Sequence, residues 1–283
     1  MRAIALAVFA TGCQVLFPLR EPDKEVDAPL SDGPAPDAND PDKPTASVDV
    51  PQPFAGEPSA VSVTVVGNPG EVATYEVAFS EGDPLTSSAA VTLSPGGTAL
   101  DTITWTPGDE LSRVSVVTRA DYDPALAAPN VSLAQVDVYQ RFGNRSGNAG
   151  PTSVSARIVA IPIDIPKLGA LKGLGVQVSS TASGMLGIYR GTTKPEVLVA
   201  KTEAFPLEQT LTVIEHEISS ELQPGRYWLA FVADGNFSIG GDSGVDGNAL
   251  TFDPLPTLDL PDTPEDGIAS AVPYALSATV GPP

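Results

Sequence analysis

From residue 47 onward the chain alternates apolar and polar positions in short runs. Val61, Val63 and Val65 alternate with Ser62 and Thr64, and Tyr75, Val77 and Phe79 fall on one face. A period of two marks half-buried strands, because successive side chains leave opposite faces of the pleat. The pattern predicts strands at residues 47–50, 60–66, 72–79, 89–93, 99–106, 111–120 and 131–139. Gly67-Asn68-Pro69-Gly70 and Ser94-Pro95-Gly96-Gly97 supply tight turns between them. A second set follows at 152–160, 171–179, 184–189, 196–202, 211–218, 226–232, 249–252 and 271–280. Residues 140–151, rich in Gly, Asn and Ser, predict a loose connection between two separately folding units, 47–139 and 140–283.

Ahead of the strands the pattern is different. Residues 1–12 are Met1, Arg2 and a mostly apolar run, the form of a secretory signal and too short for a mature spanning helix. The run ends in Ala10-Thr11-Gly12-Cys13, which resembles the lipobox of bacterial lipoproteins, although that family usually has leucine where this chain has Ala10. The resemblance implies that Cys13 is lipidated, becomes the new N-terminus and attaches the chain to a membrane. Gln14 after the cysteine, rather than Asp, implies the outer membrane. An ordinary signal peptide with an unrelated cysteine is the other reading. Residues 13–46 hold seven prolines and eight acids with few apolar positions. They predict a disordered acidic tether, extended by proline and by like-charge repulsion.

Composition narrows the function classes. Proline (29) and glycine (26) are too abundant for a helical bundle, which leaves an all-β fold class. The net charge of −20 would repel phosphate, so no nucleic-acid partner is expected. One cysteine and one histidine exclude a disulfide framework and a zinc site built from such residues.

Seven strands in about 95 residues suit an immunoglobulin-like β-sandwich, and the absence of a cysteine pair excludes the antibody type. The first unit also resembles bacterial immunoglobulin-like domains of surface and adhesion proteins. That likeness rests on residues 63–70, on Leu93-Ser94-Pro95-Gly96-Gly97 before Ile103-Thr104-Trp105-Thr106-Pro107, and on residues 116–121. Eight strands in the second unit suit a jelly roll. Leu186-Gly187-Ile188-Tyr189-Arg190, Leu198–Thr202 and residues 222–231 resemble a jelly-roll module of secreted and cell-surface proteins, often compared with carbohydrate-binding modules. The likeness implies an architecture, with a glycan or protein as ligand.

Candidate chemistry is sparse. His216 lies in Glu215-His216-Glu217, where a strand sends both glutamates to one face and the imidazole to the other, so the three cannot converge. No nucleophile elbow, phosphate loop or dinucleotide fingerprint accompanies it. A non-enzymatic, lipid-anchored binding or structural module is therefore expected. The alternative is a carbohydrate-active hydrolase using paired carboxylates, for which 35 acids offer no single pair. Residues 234–283 carry eight acids and no base, whereas 141–233 carry nine bases and seven acids. Asp234, Asp242, Asp246 and Asn248 place oxygen ligands among glycines, a set that suits calcium. A solvated acidic loop, loosened by its own repulsion, is the simpler reading, and no other cofactor is expected. Tyr227 and Trp228 lie on opposite faces of a strand apolar on both sides, which makes core positions of them before ligand platforms. Phe237, in a glycine-rich stretch, is the aromatic expected to be exposed for ligand contact.

Overall fold

The computed structural model describes residues 40–144, 150–155, 157–241, 249–253, 257–270, 272 and 274–283. These residues fold as β-sheets without a helix, in two sandwiches. Cys13 and residues 1–39, with the signal and most of the expected tether, lie outside the described residues.

The first sandwich holds β1 (Thr45–Asp49), β2 (Ser59–Val66), β3 (Val72–Phe79), β4 (Thr86–Thr92), β5 (Thr98–Trp105), β6 (Ser112–Asp121) and β7 (Asn130–Val138). A three-stranded sheet, β1-β2-β5, faces a four-stranded one, β4-β3-β6-β7. All pairs are antiparallel, and β4 joins β3 rather than β5. The alternation read from sequence sets the core: Val61, Val63 and Val65 meet Tyr75, Val77, Val114 and Val116. Trp105 stacks on Phe79 with ring centroids 4.3 Å apart, and its Nε1 donates to the Glu81 carbonyl at 2.9 Å.

The folded unit begins earlier than the expected tether boundary at residue 46. Asn130 is buried and accepts from the Asp40 N–H at 2.7 Å through Oδ1, while its Nδ2 donates to the carbonyls of Asp40, Lys43 and Pro44. The Lys43 ammonium lies 3.0 Å from Asp121, which burial alone would push up. That ammonium and the N–H groups of Asp123 and Tyr122 instead hold the carboxyl below its usual range. Composition could not show this, because the fastening residues lie more than 75 positions away in the chain. Asn130 also heads a glycosylation-type Asn130-Val131-Ser132 sequence, but its amide is already used.

The second sandwich holds β8 (Gln140–Gly143), β9 (Pro151–Val154), β10 (Ile158–Ile165), β11 (Gly169–Ser179), β12 (Ser183–Arg190), β13 (Val197–Lys201), β14 (Phe205–Pro206), β15 (Thr212–Leu222), β16 (Gly225–Ala233), β17 (Phe237–Gly240), β18 (Ala249–Phe252), β19 (Ile268–Ser270) and β20 (Leu276–Gly281). One sheet runs β13-β12-β16-β10-β18-β19, with β14 also on β12. The other runs β15-β11-β20-β8, and β17 and β9 continue the lines of β20 and β8 beyond Val176. The stretch 152–160, expected as one strand, is divided between the two sheets as β9 and β10. Pro162 is tolerated within β10 because β18 pairs only Ile158–Ala160, leaving the rest with one hydrogen-bonded neighbour.

Strand β16 is buried on both faces. Tyr227, Leu229 and Phe231 enter the core between the sheets, and Trp228, Ala230 and Val232 pack beneath Leu258 and Leu260 on the outer face. The segment 257–266 is therefore a strap across the sheet. Tyr189 donates to the Pro261 carbonyl at 2.9 Å, and the Leu198 N–H to the Asp262 carbonyl at 3.0 Å. Lys201 pairs with Asp259 and Lys194 with Asp266. These lysines hold both carboxyls below their usual range. The expected loosening by uncompensated charge does not apply to this part, because the bases of 141–233 meet these acids in space. Gly187 lies under Leu260: a Cβ there would come 2.5 Å from Leu260 Cδ1. Leu260 is 1% exposed, so Leu260→Ala should cost about 2–5 kcal/mol in urea unfolding. A loss below about 0.5 kcal/mol would mean that the strap is not packed on the sheet.

Candidate functional site

Tyr139 is the single residue between β7 of the first sandwich and β8 of the second. The loose connection expected at 140–151 is absent from its first part, since Gln140–Gly143 are paired with β20. Both backbone groups of Tyr139 are fixed by the segment after β1: its N–H donates to the Pro53 carbonyl at 2.9 Å, and its carbonyl accepts from Ala55 at 2.7 Å. Its ring lies on Gly281, where a Cβ would stand 2.9 Å from Cε1. The Arg141 guanidinium sits 3.3 Å from the centre of the Phe54 ring and donates to both Glu57 carboxylate oxygens at 2.9–3.0 Å. Leu111 is buried within the core of the second sandwich, and Lys167 reaches Glu110 at 2.7 Å.

This junction leaves a cleft of 1540 Å³ between the sandwiches. Its floor is the outer face of the β15-β11-β20-β8 sheet. Register places Glu217, Gly173, Thr279 and Arg141 in one cross-strand row, and Glu215, Gly175, Ser277 and Gly143 in the next. The middle of each row is small, so the floor forms a trough rimmed by Glu215 and Glu217 on one side and by Arg141 on the other. The opposite wall carries Gln52, Gln135, Asp49 and the Arg113–Asp137 ion pair. Phe54 and Tyr139, both half-buried, close one end.

The candidate residues read from sequence lie elsewhere. Phe237, expected to be exposed, is 3% exposed and packs edge-on against Phe231 at 5.1 Å, because it opens β17 and pairs with Val154. Trp228 is 3% exposed and donates to the Gly191 carbonyl at 3.1 Å; Tyr227 is 2% exposed and donates to Gln223. None of the three offers a ring face to a ligand. Asp234 is exposed, and its Oδ1 accepts from the Ser183 N–H at 2.9 Å. Asp242, Asp246 and Asn248 lie outside the described residues. The cleft residues were missed because they come from segments between residues 48 and 279. The available signal was Gly173 and Gly175, two glycines at alternate positions of one strand, where something approaches the backbone closely.

His216 turns away from Glu215 and Glu217, as the strand periodicity required, with its ring 3.9 Å from that of Phe205. Its Nε2 is buried and has no hydrogen-bond partner among the described residues. Burial therefore pushes the imidazole below its ordinary range.

No protein-family model and no curated protein matches the chain. Among solved structures it is similar to red sea bream transglutaminase, at 12% identity and a TM-score of 0.27, over 70% of this chain and 31% of that one. It is also similar to Arthrobacter globiformis T6 isomalto-dextranase complexed with panose, at 13% identity and a TM-score of 0.22, over 68% and 35%. A third is infectious bursal disease virus, Gt strain, at 11% identity and a TM-score of 0.19, over 84% and 79%. The chain spans about a third of the length of the first two. These are likenesses of β architecture and transfer no site.

The lowered His216 pKa gives a signed prediction. The unfolded imidazole takes up a proton near pH 6.5, before the folded one does, so stability is full above that pH and falls as the pH drops toward the folded value. Urea midpoints should decline between pH 7.5 and 5 in the wild type and stay level over that window in His216→Phe. An equal decline in both would place the titrating group elsewhere.

Proposed function

We propose that this chain is a lipid-anchored, non-enzymatic binding protein of the outer membrane, which holds a ligand in the cleft between its sandwiches. The observation that carries the reading is the cleft itself: a polar trough of 1540 Å³ whose two walls belong to different sandwiches. Glu215 and Glu217 project to one side of a single strand, so they form one rim and do not flank a bond from opposite faces. Of the lining acids on the facing wall, Asp137 is tied to Arg113, which leaves Asp49 as the one lining carboxylate that could oppose that rim, and we take the cleft as a binding site rather than a two-carboxylate hydrolase. The ligand is a glycan or a protein segment. The anchor reading rests on Cys13, the only cysteine, at the end of the apolar run. Two or more acyl chains on it would give stable attachment. Asn130 fastens residues 40–44 beside the start of β1, whose other end, at Val48 and Asp49, reaches the cleft.

Cys13→Ser should abolish incorporation of a fatty-acid probe and move the protein from the membrane to the soluble fraction. Its melting temperature should be unchanged, since Cys13 lies well ahead of β1 in the chain. Equal labelling of both forms would remove the lipid anchor from the proposal.

A further inference from the structure

We propose that the ligand of the cleft is an uncharged oligosaccharide; this rests on the reading of the cleft as the binding site. The floor sets the first condition on a ligand. Strands β15, β11 and β20 lie roughly 10 Å apart from first to last, and successive rows on one face are about 7 Å apart. Gly173 leaves the centre of this area open, with Thr279 beside it adding only a short group, whereas the Ser277 hydroxyl and the Glu215 methylene lean over Gly175. The cleft of 1540 Å³ above this floor has room for more than one sugar ring.

The polar groups fit the same chemistry. Each sugar hydroxyl both donates and accepts. The trough answers with acceptors at Glu215 and Glu217, with Ser277 and Thr279 that do either, and with the amides of Gln52 and Gln135 across the gap. Tyr139 lines the closed end beside Phe54.

Two rival classes fit less well. An extended peptide is held by an unpaired strand edge and by pockets for alternate side chains. The floor strands β11 and β20 are paired on both sides, so a peptide would have to pair along the edge strands β15, β1 or β7 at the rim and would find its side chains without pockets there. The apolar lining residues Val48, Val136, Leu174 and Ile218 are packed into the two cores, which leaves no such pockets. A polyanion would face Glu215 and Glu217 in a chain of net charge −20, and the Arg141 guanidinium is already engaged by Glu57. A polycation would face Lys172 and the cationic ends of the Arg113–Asp137 and Arg141–Glu57 pairs. An uncharged polyol meets neither opposition.

The test uses the full chain in titration calorimetry against three sets of probes: neutral hexasaccharides of glucose, xylose and N-acetylglucosamine; polygalacturonate and heparin fragments; and a library of extended peptides. Two variants act on the trough: Thr279→Trp, which fills it from an outward-facing position, and Glu217→Gln, an exposed change that leaves the core untouched. Leu100→Gln, on a strongly exposed site of the first sandwich, is the control. A neutral oligosaccharide should bind, and both trough variants should weaken it about tenfold or more while Leu100→Gln has no effect. If a peptide or a polyanion binds instead and Thr279→Trp blocks it, the cleft reading stands and the saccharide assignment falls. If a neutral oligosaccharide binds but neither trough variant weakens it at an unchanged melting temperature, the cleft reading itself falls. If no neutral oligosaccharide binds, the proposal is overturned.

Discussion

The geometry of this protein depends on how one residue is held. Tyr139 carries the chain from one sandwich to the other, and its N–H, its carbonyl and its ring are all engaged, by Pro53, Ala55 and Gly281. A connection between domains normally leaves them free to move unless the interface is extensive. Here the connection is itself packed, with the Arg141–Phe54 stack and the buried Leu111 on either side. Exposed ion pairs such as Lys167–Glu110 contribute little energy by themselves. What fixes the angle is the combination of backbone bonds and buried contacts. The cleft is its consequence: the positions of Gln135 and Glu217 across the gap follow from the way Tyr139 is held.

A second constraint acts on charge. The acids near the C-terminus and the bases of the preceding segment are separated in sequence but interleaved in space, through Lys194–Asp266 and Lys201–Asp259. The same strap lays Leu258 and Leu260 over Trp228, so that a sheet with two apolar faces is covered on both. Without the strap, Trp228, Met185 and Phe252 would form an exposed apolar patch of the kind that promotes association.

Strands with strict alternation were legible in the sequence. Val61, Val63 and Val65, or Tyr75, Val77 and Phe79, declare their inward face without help from the rest of the chain. Very short strands were not. β14 and β19 have two and three residues, and β8 and β17 have four, so their pairing is decided by neighbours distant in sequence. Phe237 shows the cost of judging by local composition: Gly235 and Asn236 before it suggest a loop, yet Val154 draws it into a sheet. The cleft was the least legible feature. One of its walls is the outer face of a sheet and the other runs along the edge strands β1 and β7, places where hydrophobic pattern carries no instruction, and only the glycines of β11 mark the site.

The central claim is that the two sandwiches are held at one angle, and that this angle makes the cleft. Spin labels at Gln135→Cys and Glu217→Cys, on opposite walls, report it directly in a Cys13→Ser background. Pulsed dipolar spectroscopy of that chain should give a single narrow distance distribution. A broad or two-peaked distribution would mean that the sandwiches swing about Tyr139 and that the cleft has no fixed form.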